Sequence, residues 1–325
     1  MDRQITIESH LHGDAARTLA DDVRDGLTRP FKELPPKHFY DSRGAALFDQ
    51  ICELPEYYPT RTERLILEQR ADDIAALTGA TELLELGSGS AVKTRIILDA
   101  LSRAGTLRRY VPVDVTEAAV RACSEELAEE YPMLLLHGVI GDFERHLTLI
   151  PDPPGPRLVA FLGGTIGNFQ PAERQVFLQA VAQLLGPEDH LLLGTDLVKD
   201  RARLLAAYDD SAGVTAQFNL NLLHVINREL GADFDPADFE HVAIYDEQQE
   251  WIEMRLRAKR ELTVEIPSLA LTVPFAAGEE MRTEISAKFT AGRVAGELAT
   301  AGLEPAAWMT DDAQLFALTL ARVAG

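Results

Sequence analysis

The stretch LLELGSGSAVKT, residues 83–94, ends an apolar run and opens a helix, so Gly87 and Gly89 let backbone approach a ligand while the helix start offers unpaired amides. A nucleotide-like ligand suits such a loop. Its other needs are a carboxylate for ribose hydroxyls, a polar and apolar pair for adenine, and a contact for a charged tail. Asp114, closing the next apolar run in YVPVDV, can serve the ribose; Asp142 and Phe143, in GDF after a third run, can bond the exocyclic amine and cover the ring. Either carboxylate could instead cap the helix that follows it. Lys93 is a contact for a cofactor carboxylate or a solvated helix residue.

A dinucleotide fingerprint would place glycine or alanine three residues after Gly89, where Val92 stands, and its acidic strand end would come earlier than Asp114. The loop is instead similar to the S-adenosylmethionine loop of class I methyltransferases, with Glu85 two residues before the first glycine. That resemblance implies an α/β fold with a Rossmann-like sheet and S-adenosyl-L-methionine as cofactor. Sulfonium chemistry asks the protein to align a lone pair and exclude water, and it needs no metal.

The acceptor site determines the reaction. GGTIGNFQP lacks the Asn/Asp-Pro-Pro-Tyr pattern of base amino methylation, and DPPGP, residues 152–156, lies before that apolar run and reads as a turn. What remains is Asn168 in the GGTIGNF loop, Tyr208 on a helical face, Tyr40 and Tyr57 upstream, and TEISAKF, where Glu284 and Ser286 are two apart and point the same way in extended backbone. Together they supply amide, phenol, hydroxyl and carboxylate groups for a small zwitterion. Separately each has a plainer reading: a buried tyrosine satisfying its hydroxyl, a turn asparagine, an exposed glutamate.

Positioning these groups requires a particular order of elements. Leu47, Phe48, Ile51 and Leu54 recur at helical spacing behind Asp41 or Ser42 as cap, with Pro55 as the stop. LPEYYPTRTE then sets Tyr57 and Tyr58 between two prolines, in a joint before a helix for which Thr60 and Glu63 match a capping box and Gly79 the end. From Glu82, short apolar runs alternate with helical stretches through HLLLGTDL, the order of a parallel sheet covered by helices. Residues 200–230 read as helical, and EWIEMRLRA, with Ile252, Met254, Leu256 and Ala258 on one face, reads as an antiparallel strand. The tail resumes with a helix and a closing hairpin. The expectation is therefore a class I methyltransferase core over residues 61–198 and 286–325, and a discontinuous α+β substrate-binding domain over 1–60 and 199–285.

Composition narrows the partners. With 31 Lys and Arg against 52 Asp and Glu, the formal charge of -21 repels polyanions, so nucleic acid is not expected. Cys52 and Cys123 read as two reduced thiols rather than a disulfide or zinc site. The first residues lack a basic start and apolar run, and no stretch of about 18 apolar residues occurs, so the expectation is a cytoplasmic protein without membrane partners. A monomer fits the sequence, which does not set oligomeric state.

Six stretches in order, LPPKHFYDSRGAALFDQICELPEYYPTRTE, ELGSGSAVKT, FLGGTIGNF, GTDLVKD, YDDSAGVTAQFNLNLLHVINREL and FAAGEEMRTEISAKF, resemble the histidine-specific Nα-methyltransferases of ergothioneine biosynthesis over nearly the whole chain. The resemblance implies transfer of three methyl groups to the α-amino nitrogen of L-histidine, giving hercynine. It also implies that Asn168 and Tyr208 hold the substrate carboxylate, that Tyr40 lies beside the amine, and that Tyr57, Glu284 and Ser286 bind the imidazole with Met254 nearby. The chain departs from that family at His38 and in the Ala91-Val92 part of the glycine loop. Other readings are methylation of another small amine or aromatic amino acid, a non-catalytic sensor of the cofactor, and an NAD-dependent dehydrogenase.

Overall fold

Runs such as ELLEL and RLVAF are apolar on both faces, which suits strands buried in a covered parallel sheet. The computed structural model of the chain describes residues 5–10, 18–88, 92–142 and 145–325. In chain order it begins with β1 (Ile5–Ser9), α1 (Leu19–Leu27), β2 (Lys32–Glu33), α2 (Ser42–Glu53) and α3 (Tyr58–Thr78). There follow β3 (Glu82–Leu86), α4 (Thr94–Arg103), β4 (Arg109–Asp114), α5 (Glu117–Glu130), β5 (Leu135–Ile140), β6 (Arg157–Phe161), α6 (Pro171–Leu184) and β7 (His190–Asp196). Next come α7 (Arg201–Tyr208), α8 (Val214–Leu230), β8 (Phe239–Asp246), β9 (Trp251–Ala258), β10 (Leu262–Ile266), β11 (Leu271–Phe275) and β12 (Glu280–Ala287). The chain closes with α9 (Ala291–Thr300), β13 (Leu303–Thr310) and β14 (Phe316–Val323).

Two compact units divide these elements. The first holds β1, Arg61–Leu197 and Phe289–Gly325, around an eight-stranded sheet in the order β1-β5-β4-β3-β6-β7-β14-β13. Its strands all run in one direction except β14, which pairs antiparallel with both β7 and the edge strand β13. This is the α/β arrangement of covered parallel strands that the sequence predicts. Leu83, Ile97, Leu101, Tyr110, Leu158 and Phe316 are among the side chains buried with Ile66 and Leu67 of α3. Burying each such aliphatic side chain stabilises the unit by about 1.5–3 kcal/mol before entropy is charged against it.

The second unit comprises residues 18–60 and 198–288. Its sheet runs β2-β12-β9-β8, with β10 and β11 as a separate hairpin. On β9 Ile252, Met254, Leu256 and Ala258 are all buried, as the alternation predicts. Glu253, Arg255 and Arg257, by contrast, pair among themselves and with Glu280 and Arg282 of β12. Helix α8 packs on β8 and β9, and α2 packs on α8.

Two expectations need correction. Residues 1–60 do not all lie with the second unit, because β1 pairs in parallel with β5, Ile5 opposite Leu136. Thr60 and Glu63 do not cap α3, since the helix already starts at Tyr58, with Pro59 in the first turn where its missing N–H is harmless. Tyr57 therefore sits in the joint, and Tyr58 is already helical. No helix among the described residues is long and apolar enough to cross a membrane.

Candidate functional site

In the first unit, Gly87, Asp114 and Asp142 fall at the carboxyl ends of β3, β4 and β5, three neighbouring strands. Gly87 follows β3 in a left-handed conformation, φ 77°, and its N–H donates to Val113 O at 2.8 Å. Asp114 is the last residue of β4; its Oδ1 accepts the Thr116 N–H at 2.9 Å, a turn ahead of α5, whose N-cap is Thr116 without a side-chain cap bond, so Asp114 does not cap that helix. Asp142 lies two residues past β5, where its N–H donates to His146 Nδ1 at 2.9 Å. Ser88, 5% exposed, has a buried hydroxyl without a hydrogen-bond partner among the described residues. An orphaned hydroxyl beside a left-handed glycine and a helix start fits a polar ligand that completes the loop. Gly89 and Phe143, as well as Ala91, lie outside the described residues.

Lys93, just before α4, is not a solvated helix residue. Its ammonium pairs with Glu63, which is fully buried and whose carboxylate also accepts the Gly163 N–H, at 2.8 and 3.0 Å to its two oxygens. Gly194 on β7 leaves room for this carboxylate: a Cβ there would lie 2.3 Å from Glu63 Oε1. Glu63 thus joins the glycine loop to the end of β6. A glycine inside an apolar strand signals the close approach of another group, so Gly194 in HLLLGTDL was the available sign.

Beneath the loop, Glu85 Oε2 accepts the Thr94 and Tyr110 hydroxyls at 2.6 Å each, tying β3 to the first turn of α4. Burial pushes this carboxyl up to about 7 from 4.5, against the two hydroxyl bonds and Lys93, which lower it. A carboxyl raised in the native state contributes its stability below the unfolded value and loses it as pH rises through about 7. The free-energy advantage of Glu85→Gln over the wild type should therefore grow between pH 4.5 and 8, by on the order of 3 kcal/mol. Urea titrations at several pH values test this, and parallel stability curves would remove the assignment.

Past β6, Gly163 and Gly164 are both left-handed, φ 76° and 70°, and turn the chain into the short 3-10 segment Thr165–Asn168. The half-buried Asn168 ends that segment. Behind it Arg174, 1% exposed, donates Nη1 to Phe169 O at 3.2 Å and Nε to Glu297 at 2.7 Å.

In the second unit, the predicted acceptor groups other than Asn168 come together. Tyr40 packs edge-on against Phe48 at 5.6 Å, Phe48 against Tyr57 at 6.1 Å, and Tyr57 against Tyr208 at 6.4 Å between ring centroids. Gly44 lets the backbone before Tyr40 approach α2 closely, because a Cβ there would lie 1.7 Å from Phe39 O. Burial, then the neighbouring Tyr208, Cys52, Tyr40 and Glu284, holds the Tyr57 phenol well above its usual range, so it stays a neutral donor. Tyr58 points elsewhere, its hydroxyl 2.7 Å from Lys199 Nζ. On β12 Glu284 stands opposite Met254 and Ser286 opposite Ile252, so all four share one face. The Tyr208 hydroxyl lies 2.7 Å from Ser286 Oγ. Sequence reasoning missed Lys288, fully buried, whose Nζ donates to Ser286 Oγ at 2.8 Å and Tyr208 Oη at 3.0 Å. His38 is engaged by Asp22 at 2.9 Å, which accounts for its tolerance next to Phe39 and Tyr40.

A family model described as histidine-specific methyltransferase, SAM-dependent, matches residues 19–323, SAM being S-adenosylmethionine. The chain is 54% identical to the histidine N-alpha-methyltransferase of Mycolicibacterium smegmatis, over 98% of its own length and 99% of the relative's. It is 52% identical to the protein of the same name from Mycobacterium tuberculosis, with the same coverage of both chains. Ergothioneine biosynthesis protein 1 of Schizosaccharomyces pombe is 33% identical over 71% of this chain, which spans 31% of that longer relative.

Proposed function

The chain belongs to the SAM-dependent, histidine-specific methyltransferases, and from that premise we propose that it adds three methyl groups to the α-amino nitrogen of L-histidine, giving hercynine for ergothioneine biosynthesis. The observation that carries the reading is Glu284 beside the neutral phenol of Tyr57, on a face shared with Met254 and Ser286. A carboxylate facing a phenol and a hydroxyl matches a ring that offers one N–H and one bare nitrogen.

When bound, S-adenosylmethionine supplies a methyl group on a sulfonium, an electrophile for in-line attack by an amine. Gly87, Gly89 and Lys93 would hold it with Asp114, Asp142 and Phe143, the ribose going to Asp114 and the adenine to Asp142 and Phe143. Asn168 and Tyr208 would each bond the substrate carboxylate, and Tyr57, Glu284 and Ser286 the imidazole. The α-ammonium must shed a proton before each addition, and burial beside a sulfonium would favour the neutral amine. Tyr40 would direct the amine lone pair without acting as a strong base, since an ordinary phenol has too high a pKa to hold the proton at neutral pH.

Incubation of the full chain with L-histidine and S-adenosylmethionine, followed by mass and fragment analysis, tests the reading. The expected product carries three methyl groups on the α-nitrogen and an unmodified ring. Unchanged histidine, or methylation of the ring, sinks it.

A further inference from the structure

Tyr208, to which the reading above gives the substrate carboxylate, is the last residue of α7, so its backbone carbonyl has no partner within the helix. His241 of β8 supplies one: its Nε2 lies 2.8 Å from Tyr208 O. On the other side of the ring, Nδ1 lies 2.8 Å from Nδ2 of Asn219, a fully buried side chain of α8. Both ring nitrogens are thus engaged, one by a carbonyl and one by an amide.

The neighbours decide which nitrogen carries the hydrogen. Asn219 Nδ2 also lies 3.0 Å from Arg255 O, which can only accept, and Asn219 Oδ1 lies 2.7 Å from the hydroxyl of the fully buried Thr283. The amide is held this way round, so Nδ2 donates one hydrogen to Arg255 O and the other to His241 Nδ1. Nδ1 must then be bare, and the one hydrogen of a neutral ring sits on Nε2, aimed at Tyr208 O. A second ring proton would set N–H against N–H. Burial also disfavours that proton and holds His241 below its usual pKa, against the Tyr208 carbonyl, Asp209 and Asp210, which raise it. Thr283 falls at the irregularity of β12, next to Glu284, and its hydroxyl is also 3.1 Å from Met254 O. A line of polar contacts therefore runs from the Tyr208 carbonyl to the strand that carries Glu284.

We propose that His241 is a positioning residue: its Nε2–H tautomer, set by Asn219, anchors the end of α7 through the Tyr208 carbonyl and so holds the Tyr208 phenol where the carboxylate of L-histidine binds. The inference rests on the histidine reading, and it gives His241 no contact with the substrate. The other tautomer would turn a lone pair toward the carbonyl, and the helix end would lose its anchor.

The test is a thermodynamic cycle on the full chain saturated with S-adenosylhomocysteine, with the dissociation constant of L-histidine read by calorimetry in wild type, H241L, Y208F and the double variant. H241L should weaken binding about tenfold, and H241Q, whose amide can still donate to the carbonyl, should stay within about threefold of wild type. In the Y208F background H241L should cost less than about twofold, because the hydroxyl it positions is gone. An equal cost in both backgrounds, or no cost in either, overturns the proposal. If H241L does not fold, ring-labelled wild type at neutral pH decides by nitrogen resonance, the His241 signals being those absent from H241Q. A pyridine-type Nδ1 with a pyrrole-type Nε2 supports the proposal; the reverse tautomer, or two imidazolium signals, overturns it. Wild type that binds no histidine overturns the histidine reading itself, a result distinct from equal costs in the cycle.

Discussion

In Glu284→Ala, kcat/KM for histidine falls at least roughly tenfold, while affinity for the cofactor product is retained. The size follows from a charge-assisted hydrogen bond, worth about 1.5–3 kcal/mol, or a factor of roughly 10 to 150. The split follows from location: Glu284 lies on β12 of the second unit, opposite Met254 and near Tyr57, whereas the glycine loop belongs to the first. An imidazole has an N–H to offer a carboxylate whether or not the ring is protonated, so the loss should appear at both pH 6 and pH 8. Glu284→Gln keeps an acceptor without the charge and should fall between the two. Steady-state kinetics at both pH values measure this, and a kcat/KM within twofold of wild type at each would remove Glu284 from imidazole recognition.

What could be read from the sequence divides along physical lines. The parallel sheet was legible because its strands are short apolar runs separated by well-bounded helices, and because the ligand groups fall at strand ends. The pairing of β1 with β5 was not: ITIES is short, and its partner lies about 130 residues away. Glu63 misled because Thr60-x-x-Glu63 matches a cap locally, while its real partners, Lys93 and Gly163, are 30 and 100 positions distant. Tyr40, Tyr57, Tyr208, Glu284 and Ser286 were legible as polar groups with ligand chemistry, but only the resemblance gave them roles. Lys288 follows Glu284 and Ser286 at the same spacing of two in TEISAKF, yet a lysine reads as exposed unless a partner for its charge is known.

Glu63→Ala should produce the largest loss of stability. Breaking a buried ion pair by removing one member costs about 3–5 kcal/mol, and the low end applies here because Lys93 is 21% exposed and can recover some hydration. The same change deprives the Gly163 N–H of its acceptor and opens a space beside Gly194. A loss of about 3 kcal/mol corresponds to a melting temperature lower by roughly 6–12 °C for a unit of this size. Glu63→Gln keeps an acceptor for Gly163 and should recover part of the loss. Lys93→Met leaves the carboxylate buried with that amide as its one bond among the described residues, so the two single variants should be non-additive in the double variant by about 1–3 kcal/mol. The same clamp sets the cofactor end: with Glu63 gone, neither Lys93 nor the turn after β6 is held, and affinity for S-adenosylhomocysteine should fall in step with stability. If Glu63→Ala melts within a degree or two of wild type and binds that ligand unchanged, the carboxylate does not anchor the loop, and Lys93 must be placed by α4 alone.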